Sequence, residues 1–147
     1  MKKLVFLILL SFLFQGCTTL NETRDNGDLP SYLSFWHLRN VSGGTSGILA
    51  EYNLDTIVWH FDVENGEIIV KNESTEDGKP DGYLETGNYV YSIEFQSNKQ
   101  FLVVNGEEYG NIYLEGDNIM VVNGNDKIYG TGTDEYIYTF TRTVVAE

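Results

Sequence analysis

Cysteine occurs once in the 147 residues, at Cys17, so no intrachain disulfide is available and the fold must stand on a packed core. Bases are scarce as well: 9 Lys plus Arg face 22 Asp plus Glu, a formal charge of -13. That deficit argues against a nucleic-acid partner, whose phosphates need a basic patch, and against docking on anionic lipid through a basic face. Proline is limited to 2 residues while glycine reaches 15, and no stretch beyond the amino terminus carries a sustained helical period. The 10 Tyr, 8 Phe and 2 Trp complete a composition suited to short strands joined by glycine turns. The length fits a single domain.

Long apolar runs are absent except for Leu4–Phe14, broken only by Ser11 and preceded by Lys2 and Lys3. Eleven residues are too few to span a hydrocarbon core of about 30 Å as a helix, but they match the apolar region of a secretory signal. Phe14-Gln15-Gly16-Cys17 closes the run and resembles the lipobox of bacterial lipoproteins, although Phe14 stands where Leu is usual and Gln15 is bulky. The resemblance implies removal of residues 1–16 and acylation of Cys17, with 7 basic residues left against 22 acidic ones. Two or three acyl chains would hold the protein on a membrane with no transmembrane helix. Thr18, where aspartate would signal inner-membrane retention, points to the outer membrane. Residues 17–32 are polar and read as a tether, residues 33–143 as the domain, and residues 144–147 as a tail.

Alternation of apolar and polar residues marks eight strands, near 34–41, 56–63, 67–73, 88–96, 100–105, 108–115, 117–123 and 135–143. Ile48, Leu49 and Tyr52 suggest one short turn of helix in the first loop. Connections after the second, fourth and sixth strands are short, whereas those after the first, third and seventh are long. In an up-and-down antiparallel array odd and even connections lie at opposite ends, which gives one tight end and one loop-rich end. The expected fold is all-β, an eight-stranded up-and-down antiparallel barrel, with a two-sheet sandwich as the competing arrangement.

With strands placed, Phe35-Trp36-His37-Leu38-Arg39 and Tyr138-Thr139-Phe140-Thr141-Arg142 resemble the lipocalin signature, a Trp in the first strand packed under an Arg at the end of the last. Adding Asn40-Val41-Ser42-Gly43-Gly44, Ile57-Val58-Trp59-His60-Phe61 and Gly87-Asn88-Tyr89-Val90-Tyr91-Ser92-Ile93, the chain is similar to the small lipocalin-like lipoproteins common in Bacteroidetes, over about residues 34–143. The resemblance implies that Trp36 plugs the tight end of a lipocalin-like barrel and that Arg142 lies across its ring. The lipocalin Gly two residues before the Trp is replaced by Ser34, and the domain is short, which argues against a roomy cavity.

Alternation places Trp36, Leu38, Ile57, Trp59, Phe61, Tyr89, Tyr91, Ile93, Phe95, Ile112, Leu114, Tyr136, Tyr138 and Phe140 inward. An interior rich in tyrosine either fills the barrel or leaves hydroxyls at a mouth able to hold an amphipathic ligand. Such a mouth would be ringed by the first, third and seventh connections, with Tyr52, Tyr89 and Tyr136 as ligand-binding residues. The glycine-rich Ser42–Gly47 segment followed by apolar residues reads as a lid or a stopper. The acidic residues Glu73, Glu76, Asp77, Asp81 and Glu85 lack the order of a calcium loop and read as a solvated surface. His37 and His60 face outward with no third ligand for zinc. With Cys17 acylated no cysteine nucleophile remains, and no serine stands in a nucleophile elbow, so neither catalysis nor a cofactor is expected. Asp55-Thr56-Ile57 has the form of a short O-glycosylation motif.

Two functions follow from different classes: a non-catalytic barrel binding a small hydrophobic or amphipathic ligand at its loop-rich end, or a protein-interaction or structural envelope lipoprotein with a filled barrel. Acylation is directly testable. Cys17→Ser is expected to release protein into the aqueous phase of a detergent partition or to leave unprocessed precursor; unchanged partitioning would rule out the lipoprotein reading.

Overall fold

The computed structural model describes residues 31–75, 84–130, 132 and 134–146. Nine strands form, and no helix lies among the described residues: β1 (Tyr32–Gly43), β2 (Ile48–Glu51), β3 (Ile57–Asp62), β4 (Glu67–Asn72), β5 (Gly87–Gln96), β6 (Lys99–Val104), β7 (Glu107–Glu115), β8 (Ile119–Asn123) and β9 (Tyr136–Ala146). Each strand from β3 to β9 pairs antiparallel with the next, and β9 pairs back onto β1, closing an eight-stranded barrel of β1 and β3–β9. The eight expected strands are all present. Closure runs the full length of β1, from Tyr32↔Ala146 to Gly43↔Tyr136, so Val144 to Ala146 are strand and not a tail.

β2 is the departure from the sequence reading. Instead of a helical turn, Ile48–Glu51 folds back on β1, pairing Gly43↔Ile48 through Asn40↔Glu51. The cause is the turn between them, in which Gly43, Gly44 and Gly47 all adopt positive φ and reverse the chain within four residues. Tyr52 N–H then donates to the Arg39 carbonyl at 2.9 Å, and its side chain is buried, whereas Leu49 stays exposed. The segment is thus a strand paired to β1 and packed on the core through Tyr52 and Ala50, with Leu49 left outside. Because β2 occupies the β1 edge near the loops, β3 meets β1 at just Trp36↔Trp59 and His37↔Val58. Below these pairs the two strands separate.

Alternation fills the middle of the barrel. Leu38, Val41, Ile57, Ile68, Leu102, Val122 and Phe140 are wholly buried, and Trp59 packs against Phe140 with ring centroids 4.7 Å apart. Phe61, Tyr89, Tyr91, Ile93 and Tyr136 pack on this cluster from its margins. Phe95 and Leu114, assigned inward by parity, are instead exposed, because they sit past the last packed layer at the tight end.

Two bulges interrupt the ladder, one at Arg39 in β1 and one at Tyr109 in β7, where Leu102↔Gly110 is followed by Val103↔Glu108. Gly110 has φ +122°, and a Cβ there would collide with the Asn123 carbonyl oxygen, so the β7–β8 crossing depends on having no side chain. Gly110→Ala is expected to cost about 2–4 kcal/mol in urea unfolding, through a backbone clash added to left-handed strain. Gly116→Ala, also at positive φ but with open space around it, is expected to cost about 1 kcal/mol. Equal losses would refute the close-approach argument.

Candidate functional site

The loop-rich end carries a recess of about 410 Å³. Its walls come from Thr45 in the β1–β2 turn, Glu107, Glu108 and Tyr109 at the start of β7, and Gly124, Lys127, Asp134 and Glu135 between β8 and β9. Tyr136 and Tyr138 of β9 complete it. The bulge explains Tyr109: an extra residue in β7 turns its side chain toward the core and the recess. Gly44 explains the seat of Tyr136, since a Cβ at Gly44 would collide with the Tyr136 ring. Tyr136 in turn stands edge-on to Tyr138, with centroids 6.4 Å apart.

The outer wall is held by polar contacts. The Glu108 carboxylate accepts from the Ile128 and Tyr129 N–H groups, drawing the segment after β8 over the start of β7. Asn125 donates through Nδ2 to the Glu135 carbonyl and accepts at Oδ1 from Glu135 N–H. Lys127 Nζ lies 3.1 Å from Glu135 Oε1, so the cation lining the recess is paired. Glu107, Glu108 and Asp134 therefore leave the lining acidic. Burial, and then the Glu107 carboxylate and the Tyr89 hydroxyl, push the Tyr109 phenol above its ordinary range, keeping it a hydrogen-bond donor into more alkaline solution.

Of the three tyrosines expected at a mouth, Tyr136 lines the recess and the other two do not. Tyr52 is buried beside β1, and the Tyr89 hydroxyl donates to the Glu85 carbonyl at 2.9 Å. The ring of connections also differs from expectation. The start of β7, after the short β6–β7 turn, contributes through Glu107 and Glu108, whereas no described residue of the β4–β5 connection lines the recess, and Leu84 from that connection is packed into the core. Tyr109 was missed because strict alternation cannot register a bulge; the Gly110 beside it is the signal that marks one.

At the tight end, Trp36 and Arg142 are directly opposed in the β1–β9 register. The guanidinium carbon stands 5.8 Å from the Trp36 ring centroid, and Nε and Nη2 donate to Ser34 Oγ at 3.0 and 2.7 Å. Ser34 thus supplies the oxygen that fixes the arginine. Where β1 and β3 separate, a cleft of about 720 Å³ opens between Tyr32–Trp36 and His60–Glu64. His60 Nδ1–H donates to the Ser34 carbonyl at 3.0 Å across it. At the rim the Asp62 carboxyl is held below its ordinary range by the Asn65 side-chain amide and then by backbone N–H groups. Burial, and then Asp62, push the Tyr91 phenol upward.

His37 faces the outer wall yet is buried, with Nε2 2.8 Å from Thr143 Oγ1 and Nδ1 3.0 Å from Asp55 Oδ1. Among the described residues no group of three or more His, Cys, Asp or Glu is placed to hold a metal ion. Cys17, Glu76, Asp77 and Asp81 lie outside the described residues. Comparison with models of protein families, with curated proteins and with solved structures returned no match.

Arg142→Ala is expected to destabilise the domain by about 1–3 kcal/mol in urea unfolding, through the uncovered indole and lost aliphatic packing. Arg142→Lys should recover only part, because an ammonium lacks the planar fork that reaches Ser34. Wild-type stability in Arg142→Ala would show that the pair contributes nothing.

Proposed function

We propose that this chain is a lipid-anchored, non-catalytic barrel of the lipocalin-like kind, which holds a small amphipathic ligand with a neutral or cationic head at its loop-rich end. The observation that carries this reading is the acidic, tyrosine-walled recess formed by Tyr109, Tyr136 and Tyr138 with Glu107, Glu108 and Asp134. Aromatic faces and carboxylates together suit an ammonium or a hydroxylated head group. Like charge disfavours fatty acids and other anions. The packed middle of the barrel restricts the ligand to the recess and limits its apolar part to a short one. The same packed middle is what favours the second reading, an interaction or structural envelope lipoprotein with a filled barrel. Anchoring is supported by the apolar run Leu4–Phe14 and the Phe14–Cys17 motif, and an outer-membrane location by Thr18.

The neutral fluorophore N-phenyl-1-naphthylamine, titrated into folded protein, is the first test. Saturable binding is expected, with displacement by hexyltrimethylammonium at concentrations where hexyl sulfate does not compete. Tyr136→Ser and Glu108→Gln should each weaken the trimethylammonium compound about tenfold, the loss of about 1.4 kcal/mol. Absence of saturable binding by either probe would leave the filled-barrel interaction role as the reading.

A further inference from the structure

Exposed apolar side chains are concentrated at the tight end. Tyr32, Val63, Phe95, Leu114 and Val144 all lie there, Val63 and Phe95 at 79% and 75% exposure. Each continues the core-facing parity of its strand: Tyr32 with Trp36, Val63 with Phe61, Phe95 with Ile93, Leu114 with Ile112, Val144 with Phe140. They form the unburied lip of the barrel, and the β1–β3 cleft opens through that lip. The lip spans four separate strand ends or turns as well as β1, so it is a surface and not a stray residue.

We infer that this lip docks the barrel on the surface of a bilayer of zwitterionic lipid. Two observations select that occupant. The first is chain direction. The amino-terminal segment joins the barrel through Tyr32 at the lip itself, and Cys17 precedes Ser31 by roughly 14 residues, a reach of at most about 50 Å when extended. A segment held to a membrane would therefore enter the barrel at this end, which makes the lip the face nearest the lipid along the chain. The second is charge. Asp62, Glu64, Glu94, Glu115 and Asp117 surround the lip, and the Nζ of Lys99, in the β5–β6 hairpin there, is taken by Asp126 at 2.6 Å. Two copies meeting lip to lip would oppose these carboxylates, and an anionic leaflet would repel them. The outermost ammonium of phosphatidylcholine or phosphatidylethanolamine would pair with them. Tyr32 has the amphipathic ring of an interfacial anchor, and Phe95 supplies an apolar ring for the acyl boundary. The choice of lipid rests on the anchoring part of the proposed function and is independent of the ligand recess. Docked this way, the barrel would point its recess away from the membrane.

The test uses the full chain in phosphatidylcholine vesicles containing lipids brominated at a shallow acyl position, with Trp introduced by Phe95→Trp or, at the other end, by Tyr129→Trp. Quenching above the wild-type Trp36 and Trp59 background is expected for Phe95→Trp, at least threefold greater than for Tyr129→Trp. It should fall when half the lipid is phosphatidylglycerol, and Leu114→Asp in the Phe95→Trp chain should abolish it while far-ultraviolet circular dichroism stays unchanged. Protein that sediments with vesicles but shows equal quenching at both ends overturns the docking and leaves anchoring intact. Protein that does not sediment at all overturns both. Self-association of the chain in solution that shields Phe95→Trp from bromine identifies a second copy as the occupant and also overturns the inference.

Discussion

The pairing of β1 with β9 is the interaction on which the other features of this protein depend. It is the longest ladder in the barrel, and it joins the two ends of the domain in sequence. Without it the sheet is an open meander with two long unpaired edges, and Trp36 loses the strand that presents Arg142 to it. The recess depends on it equally, because Tyr136 reaches its seat against Gly44 at the last rung of the same ladder. Both ends of the molecule are therefore organised by one seam.

That seam also sets where β1 has no partner. A strand in a closed barrel has two edges to satisfy, and β1 gives one wholly to β9. Its other edge is divided between β2 near the loops and a two-residue contact with β3 in the middle. The cleft at the tight end is what remains, bridged by the bond from His60 to the Ser34 carbonyl. An unpaired backbone group is costly only where it is buried, so an opening of this kind is tolerated at a solvated rim.

Much of the fold was legible because period-two alternation and glycine turns are local properties, and an up-and-down barrel is assembled from neighbours. The pattern around Trp59, Ile68 and Phe140 had one consistent meaning. What escaped was set by geometry that alternation does not encode. The strand at Ile48–Glu51 follows from the positive-φ glycines Gly43, Gly44 and Gly47 at its turn, while its own residues are ambiguous between strand and helix. Phe95 and Leu114 carry inward parity, but parity says nothing about whether another layer lies beyond them. Of the recess, Tyr136 could be read from its place at the start of the last strand. Tyr109 could not, because its direction is fixed by a bulge, and Glu107 and Glu108 enter only through the way the chain after β8 folds back on them.

Closure between the first and last strands has a consequence for biogenesis. A chain made from its amino terminus exposes β1 long before β9 exists, and neither the floor nor the recess can form until the final eleven-residue strand has been delivered. Contacts separated by about a hundred residues must be made last, across the entropy of a nearly complete loop, which makes such barrels slow to fold. Truncation by even a few carboxy-terminal residues would then be felt at the opposite terminus, where Tyr32 and Leu33 would lose Ala146 and Val145.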